Sequence, residues 1–99
     1  EEVMKLHIVN RAPDAGRAVE QALSAMAAED RLLLIEDGVQ GALPSLVDEF
    51  ASIEGRLYAL HEDLEARGLM NRHDERVEVV DVEGFVTLTE QAERTLSWY

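Results

Sequence analysis

Four groups of polar residues in this 99-residue chain directly follow short apolar runs: Asn10 with Arg11, Glu36 with Asp37, Glu62 with Asp63, and Asp81. In a parallel sheet the ends of such runs collect on one edge, where doubly wound folds build metal or phosphoryl-transfer sites. One reading is therefore a Mg²⁺ site, or a phosphate acceptor using Asp37. The other is that acids after strands cap the helices that follow and favour their positive N-terminal ends. Capping is the stronger reading, because a receiver-like site also wants a lysine near the last strand and none is present. The turn Asp37-Gly38, with Gly41 beyond it, sits where phosphate loops sit. It lacks the dinucleotide-binding spacing and the phosphate-loop lysine, and its two acids repel phosphate. A tight turn into a helical segment fits it better.

The three histidines give no stronger signal. His7 lies inside an apolar run, where a hydrogen-bonded core or edge histidine is the expectation. His61 follows a run and neighbours Glu62 and Asp63, so general-base work is conceivable, but no Ser or Cys nucleophile motif accompanies it. His73 falls in a polar stretch, and no two histidines have the i, i+4 spacing of a helical metal site. The chain has no cysteine. Without a thiolate, persulfide chemistry on this chain is excluded, as are disulfides and thiolate metal sites. No catalytic residue, metal or cofactor is expected.

Twenty-one acids against nine bases give a formal charge of −12. Nucleic-acid binding draws on Lys and Arg neutralising phosphates, so direct binding of RNA or DNA is not expected, nor is an anionic membrane surface. The balance suits solubility, or docking against a basic partner. The longest apolar run, Leu32 to Ile35, is far short of the roughly 20 residues that cross a bilayer. The start is acidic and has no apolar signal segment, so the cytoplasm is the expected compartment. Ninety-nine residues fit one domain with a core of roughly 15 to 25 apolar side chains. That domain is placed at residues 4–99 with a native start at Met4, leaving 1–3 as an addition or a disordered N-terminus.

The elements that must position these residues alternate. Lys5 to Asn10 reads as a strand. Pro13 stops it, and Asp14 is a candidate N-cap for a helix over Ala15 to Ala28, with Ala18, Val19, Ala22, Leu23 and Met26 on one face. Arg31 to Ile35 is the continuous apolar run of a strand buried on both faces. Ser45 and Asp48 form a weak capping box for a helix with Leu46, Phe50 and Ile53 inward, stopped by Gly55. Leu57 to Leu60 is a third strand, followed by a short helix over Glu62 to Arg67 that Gly68 ends. Val77 to Val80 is a fourth strand, and Asp81 caps a helix carrying Val82, Phe85, Val86 and Leu88. Thr95 to Tyr99 closes the chain as a last short strand, with Leu96 and Trp98 on one side. This order predicts a single α/β domain, a mostly parallel sheet with helices on both faces. Trp98 and Tyr99 beside Leu96 either finish the core or anchor a partner, and Leu69 and Met70 raise the same question. These five positions are the candidate subunit interface.

Five segments, LHIVNRAPD (Leu6 to Asp14), LLLIEDGVQGAL (Leu32 to Leu43), LYALHEDLEARGL (Leu57 to Leu69), VEVVDVEGFVTLT (Val77 to Thr89) and the closing SWY, resemble the DsrH/TusB family, and the resemblance covers nearly the whole chain from Met4. It implies the DsrE-like α/β fold. It further implies assembly with DsrE/TusD-like and DsrF/TusC-like subunits as a dimer of heterotrimers, with self-association when alone as a possible state. Such complexes relay persulfide sulfur, toward 2-thiolation of the wobble uridine of certain tRNAs or in dissimilatory sulfur oxidation. The main sulfur-bearing cysteine of that assembly belongs to the DsrE/TusD-type subunit. Some DsrH proteins carry their own near the first helix, where this chain reads Val19-Glu20-Gln21-Ala22-Leu23. That departure removes a direct transfer role and favours tRNA thiolation over sulfur oxidation.

Overall fold

The computed structural model describes residues 3–99. The expectation for Glu1 and Glu2 lies outside the described residues, and Val3 is exposed ahead of the first strand. Five strands alternate with helical segments: β1 (Lys5–Val9), α1 (Ala18–Ala25), β2 (Arg31–Leu34), two 3₁₀ segments (Glu36–Ala42 and Val47–Ile53), β3 (Leu57–Leu60), α2 (His61–Ala66), β4 (Glu78–Val80), α3 (Val82–Gln91) and β5 (Arg94–Trp98). The sheet order is β4-β3-β2-β1-β5, and all four pairings are parallel, the last strand included.

The apolar runs explain the layering. Successive strand residues face opposite sides of a sheet, so an uninterrupted run feeds two cores. Leu32 and Leu34 join the core on one face and Leu33 joins the other; Ile8 and Val9 divide the same way. The first face is covered by α1, the two 3₁₀ segments and α2, and its core includes Val19, Phe50 and Leu64. The second is covered by α3, with Leu88 packed among Leu6, Ile8, Leu33 and Tyr58. Each fully buried leucine contributes about 1.5–3 kcal/mol of transfer free energy. The steps from β1 to β4 move one way across the sheet with their connections on the first face. The return from β4 to β5 crosses the second face. Reversing direction and face together keeps every crossover of one hand, as the right-handed preference requires.

Several boundaries differ from expectation for local reasons. The first helix spans Ala18–Ala25 rather than 15–28, and Asp14 caps nothing: Arg17 holds the cap position without a side-chain bond. Gly16, at φ +146°, bends the chain between Pro13 and the helix and postpones its start. The Ser45/Asp48 capping box does not form either. Asp48 instead receives Arg76 Nη1 at 3.2 Å, and residues 47–53 form a kinked 3₁₀ segment. Phe50 and Ile53 point inward as expected, whereas Leu46 is only half-buried. Asp81 does cap α3, its Oδ1 accepting the Gly84 N–H at 2.9 Å. On that helix Leu88 faces the core and Phe85 is half-buried, but Val82 and Val86 face outward.

Gly38 is required by close approach. A Cβ built there would lie inside the contact distance of the Val9 carbonyl oxygen, and the Ile35 N–H donates to that same oxygen at 3.0 Å. Because the obstacle is backbone, it cannot rotate away. Gly38→Ala is expected to destabilise the fold by about 1–3 kcal/mol, the usual range for overpacking, read as a lower urea midpoint at unchanged slope. A midpoint equal to wild type would show that the approach is not tight.

Candidate functional site

The parallel sheet does gather the predicted acids on one edge, where Asp37, Asp63 and Asp81 are engaged by other groups of the protein. Asp63 Oδ2 accepts the Glu36 N–H at 2.6 Å, helping to hold Glu36 at φ +50°, a left-handed conformation rarely taken by a non-glycine residue. Arg67 reaches Asp37 Oδ1 with Nε at 3.1 Å and lies 3.7 Å from Asp63 Oδ1. Arg67 thus places one positive charge between Asp37 and Asp63. Among the described residues no three His, Asp or Glu side chains converge in a metal-holding group. Asp81 serves its helix. Asn10, at the end of β1, keeps its side-chain oxygen buried without a partner.

Beyond this edge a second ion-pair group ties the segment before β4 to the 3₁₀ segment. Arg76 grips Asp74 through Nε at 2.8 Å and Nη2 at 3.1 Å while its Nη1 holds Asp48. The Arg76 side chain, then the Arg76 backbone N–H, hold the Asp74 carboxyl down at about 2. His73 Nδ1–H donates to the Asp74 carbonyl at 3.1 Å. The polar stretch around His73 is thus a folded link.

His7 is wholly buried, and its partners define the most constrained polar group of the molecule. Its Nε2 lies 2.9 Å from Asp30 Oδ2, and its Nδ1 is 3.1 Å from Trp98 Nε1. An indole N–H only donates, so Nδ1 must accept, and the proton resides on Nε2 and points at Asp30. The rings are nearly parallel, 16° apart, with centroids 6.1 Å from each other. Asp30 also accepts the N–H groups of Ala27 at 3.0 Å and Lys5 at 3.1 Å. Burial pushes the Asp30 carboxyl up, yet the Ala27, His7 and Lys5 N–H groups together hold it below its ordinary value. The core histidine was foreseen; Asp30, its partner, was not. An Asp–His pair of this kind orients a base when a nucleophile waits at the other ring nitrogen. Trp98 occupies that place, so the group ties β1, the turn before β2 and β5 together.

The candidate interface residues fall in two places. Leu69 is buried: Gly68, at φ +69°, ends α2 with its N–H on Glu65 O, while the Leu69 N–H returns to Leu64 O at 2.8 Å. This helix ending places the residue after the glycine against the one opening the bond pattern, and both leucines lie in the first-face core. Met70 is half-buried against the same core. Leu96 and Trp98 are half-buried on β5 at one edge of the sheet, and Tyr99 is 77% exposed beside them.

One open cleft, of about 450 Å³, is lined by His61, Val79, Val80, Asp81 and Gly84. It lies past the ends of β3 and β4, where the next helix passes from the first face (α2) to the second (α3), the position at which such sheets hold ligands. Its walls offer one imidazole, one engaged carboxylate and aliphatic surface, with no thiol or hydroxyl.

Comparison with known proteins agrees with this fold. Residues 11–95 match the family described as DsrH like protein. Protein TusB of Serratia proteamaculans is 39% identical over 74 residues, 73% of this chain and 78% of that one. Protein TusB of Photorhabdus laumondii is 36% identical over 75 residues, 74% and 79% of the two chains. The crystal structure of the ychN protein from E. coli superposes with a TM-score of 0.74, covering 97% of this chain and 99% of that one at 16% identity. That likeness supports the expected fold. Among the described residues no helix is long and apolar enough to cross a membrane.

Two outcomes are expected at the buried histidine. Trp98→Phe keeps an aromatic ring but leaves Nδ1 without its donor, costing about 1–3 kcal/mol in urea denaturation; a loss below about 0.5 kcal/mol would show that water replaces the bond. Asp30 has a lowered value in the folded state, so its contribution is present above about pH 4 and is lost as pH falls through the folded value. Asp30→Asn should therefore lower stability at pH 7 and flatten the decline as pH falls below about 4. A decline as steep as wild type would assign acid sensitivity to other carboxylates.

Proposed function

The chain belongs to the DsrH-like family, and on that premise we propose that it is a non-catalytic subunit of a sulfur-relay complex, holding thiol-bearing partners in place. The observation that carries this reading is the absence of cysteine from all 99 residues. Sulfane sulfur moves by attack of one thiolate on another sulfur, and this chain offers no atom for that step. On α1, where the family resemblance implies a cysteine in some members, Glu20 and Gln21 are exposed and Val19 and Ala22 are buried.

The partners proposed are DsrE/TusD-like and DsrF/TusC-like subunits, in a dimer of heterotrimers. Its proposed service is 2-thiolation of the tRNA wobble uridine, with the tRNA contacted by other subunits because this chain carries −12. The contact proposed is the β5 edge, through Leu96, Trp98 and Tyr99, with Met70 as a lesser second contact; Leu69 supports it from the core. Two features support β5. Among the described residues its outer edge has no strand beside it, and Trp98 is held by His7 in the chain alone. An aromatic anchor already immobilised loses little entropy on association.

Co-expression with one DsrE/TusD-like and one DsrF/TusC-like subunit should give, by native mass spectrometry, an assembly with equal copies of all three. Incubated with labelled persulfide donor, this subunit should stay unlabelled while the DsrE/TusD-like subunit takes the label. An exclusively monomeric chain, or label on this subunit, would refute the proposal.

A further inference from the structure

A parallel sheet needs cover on both faces, and the two faces here are covered unequally. Four helical segments lie on the first, while α3 alone crosses the second. Five strands about 4.8 Å apart make a face about 19 Å wide, and one helix with its side chains is about 10 Å across. The shortfall is visible in the side chains. Met4, Ile35, Val80 and Phe85 are only half-buried around the second core. On the outer side of α3, Val82 and Val86 are 51% and 48% exposed. Four residues apart, they form one stripe.

Charge identifies what covers this stripe. From Val77 to Glu93 there are five acids, Glu78, Asp81, Glu83, Glu90 and Glu93, and no lysine or arginine. Glu83 and Glu90, seven apart, run beside the stripe, and Glu78 stands on this sheet face opposite Tyr58. The basic side chain Arg31 that reaches the face is engaged with Gln91 Oε1 at 3.5 Å and lies 5.8 Å from the Tyr58 ring centroid. A second copy would bring the same acids against these, at −12 per chain, and like charges facing each other are disfavoured. Anionic lipid and nucleic acid are repelled in the same way.

We infer that the outer face of α3 is a docking surface for a different protein chain presenting lysine or arginine around an aliphatic or aromatic side chain, which packs on Val82 and Val86. The inference deepens the subunit reading by naming the chemistry of a neighbouring chain and the face it occupies, apart from the β5 edge. The apolar stripe supplies the contact area, and the acids supply orientation and selection among partners.

The test uses the whole chain and a labelled synthetic helical peptide with a leucine stripe flanked by lysines, read by fluorescence anisotropy. Two peptides control it, one with glutamate for lysine and one with the stripe scrambled. The lysine peptide should bind at least about tenfold more tightly than either control. Val86→Lys and the Glu83→Gln/Glu90→Gln double variant, all at exposed positions, should each weaken it about tenfold with circular dichroism unchanged. Equal binding of the glutamate peptide, no binding of the lysine peptide, indifference to both variants, or occupation of the face by a second copy in sedimentation overturns the inference. Co-expression separates it from the subunit reading. A three-subunit complex of undiminished affinity with Val86→Lys sinks this inference and leaves the reading intact. Absence of any complex, with peptide binding at α3 as described, sinks the reading and leaves the inference.

Discussion

An imidazole sealed from water must satisfy both ring nitrogens inside the protein, since a buried polar atom without a partner costs about 1–3 kcal/mol. His7 meets this with Asp30 on one side and Trp98 on the other, partners 23 and 91 residues away in sequence. Because the indole only donates, the protonation of the ring is settled by its neighbours. Asp30 is settled too: its two oxygens take the His7 ring and the N–H groups of Lys5 and Ala27, and Arg56 binds the carbonyls of Ala27 and Asp30. One buried ring therefore fixes the turn that starts β2 and the strand that ends the sheet. Without it β5, paired to β1 alone and half-exposed on its inward face, would depend on five ladder residues. The bond also sets register, since a shift of one residue would turn the indole to the other face.

The rest of the architecture follows from how a 99-residue chain divides its apolar surface. The three central strands fill two cores, and three of the four crossovers lie on one face. Among the described residues the return from β4 to β5, the shortest of the four connections, covers the other. The more thinly covered layer is where Val82 and Val86 stand in solvent. The β4 edge is short, three residues with Glu78 exposed on it, which discourages strand addition there. The β5 edge is longer and ends in aromatics.

What could be read in the sequence was local. Strand positions came from the runs around Leu33 and Ala59, the ends of helices from Gly55 and Gly68, and the start of α3 from Asp81. Each is a property of a few adjacent residues. The failures share a cause, which is competition from distant groups. Asp48 resembles a capping residue until Arg76, 28 positions on, draws its carboxylate away. Asp14 is a plausible cap until Gly16 delays the helix. Asp30, in a polar stretch, gives no sign that it will be buried; only the placement of β1 beside β2 creates its role. Leu69 had the composition of an interface residue, yet the backbone bonds that follow Gly68 turn it into the core. The acids at the sheet edge were located correctly. The structure adds that Arg67 and the Glu36 N–H engage Asp37 and Asp63.

The remaining acids bear on why this chain is so negatively charged. Self-repulsion at −12 opposes compactness, and the exposed pair Arg17–Glu20 offsets little of it. The stabilising electrostatics are concentrated in a few partnered groups, Asp30 in the interior and Asp74 with Arg76 near the surface. Asp81 caps α3, but among the described residues the side chains of Glu78, Glu83, Glu90 and Glu93 make no hydrogen bond or ion pair within the fold. A charge pattern that does not favour folding still governs encounter: it speeds approach of basic surfaces and rejects acidic ones. For a subunit without a thiol, on the reading proposed here, selection of neighbours and rigid presentation of a few aromatic and aliphatic anchors is the contribution left to it. On the same proposals, the buried histidine makes one of those anchors rigid, and the acids around α3 select what the other face accepts.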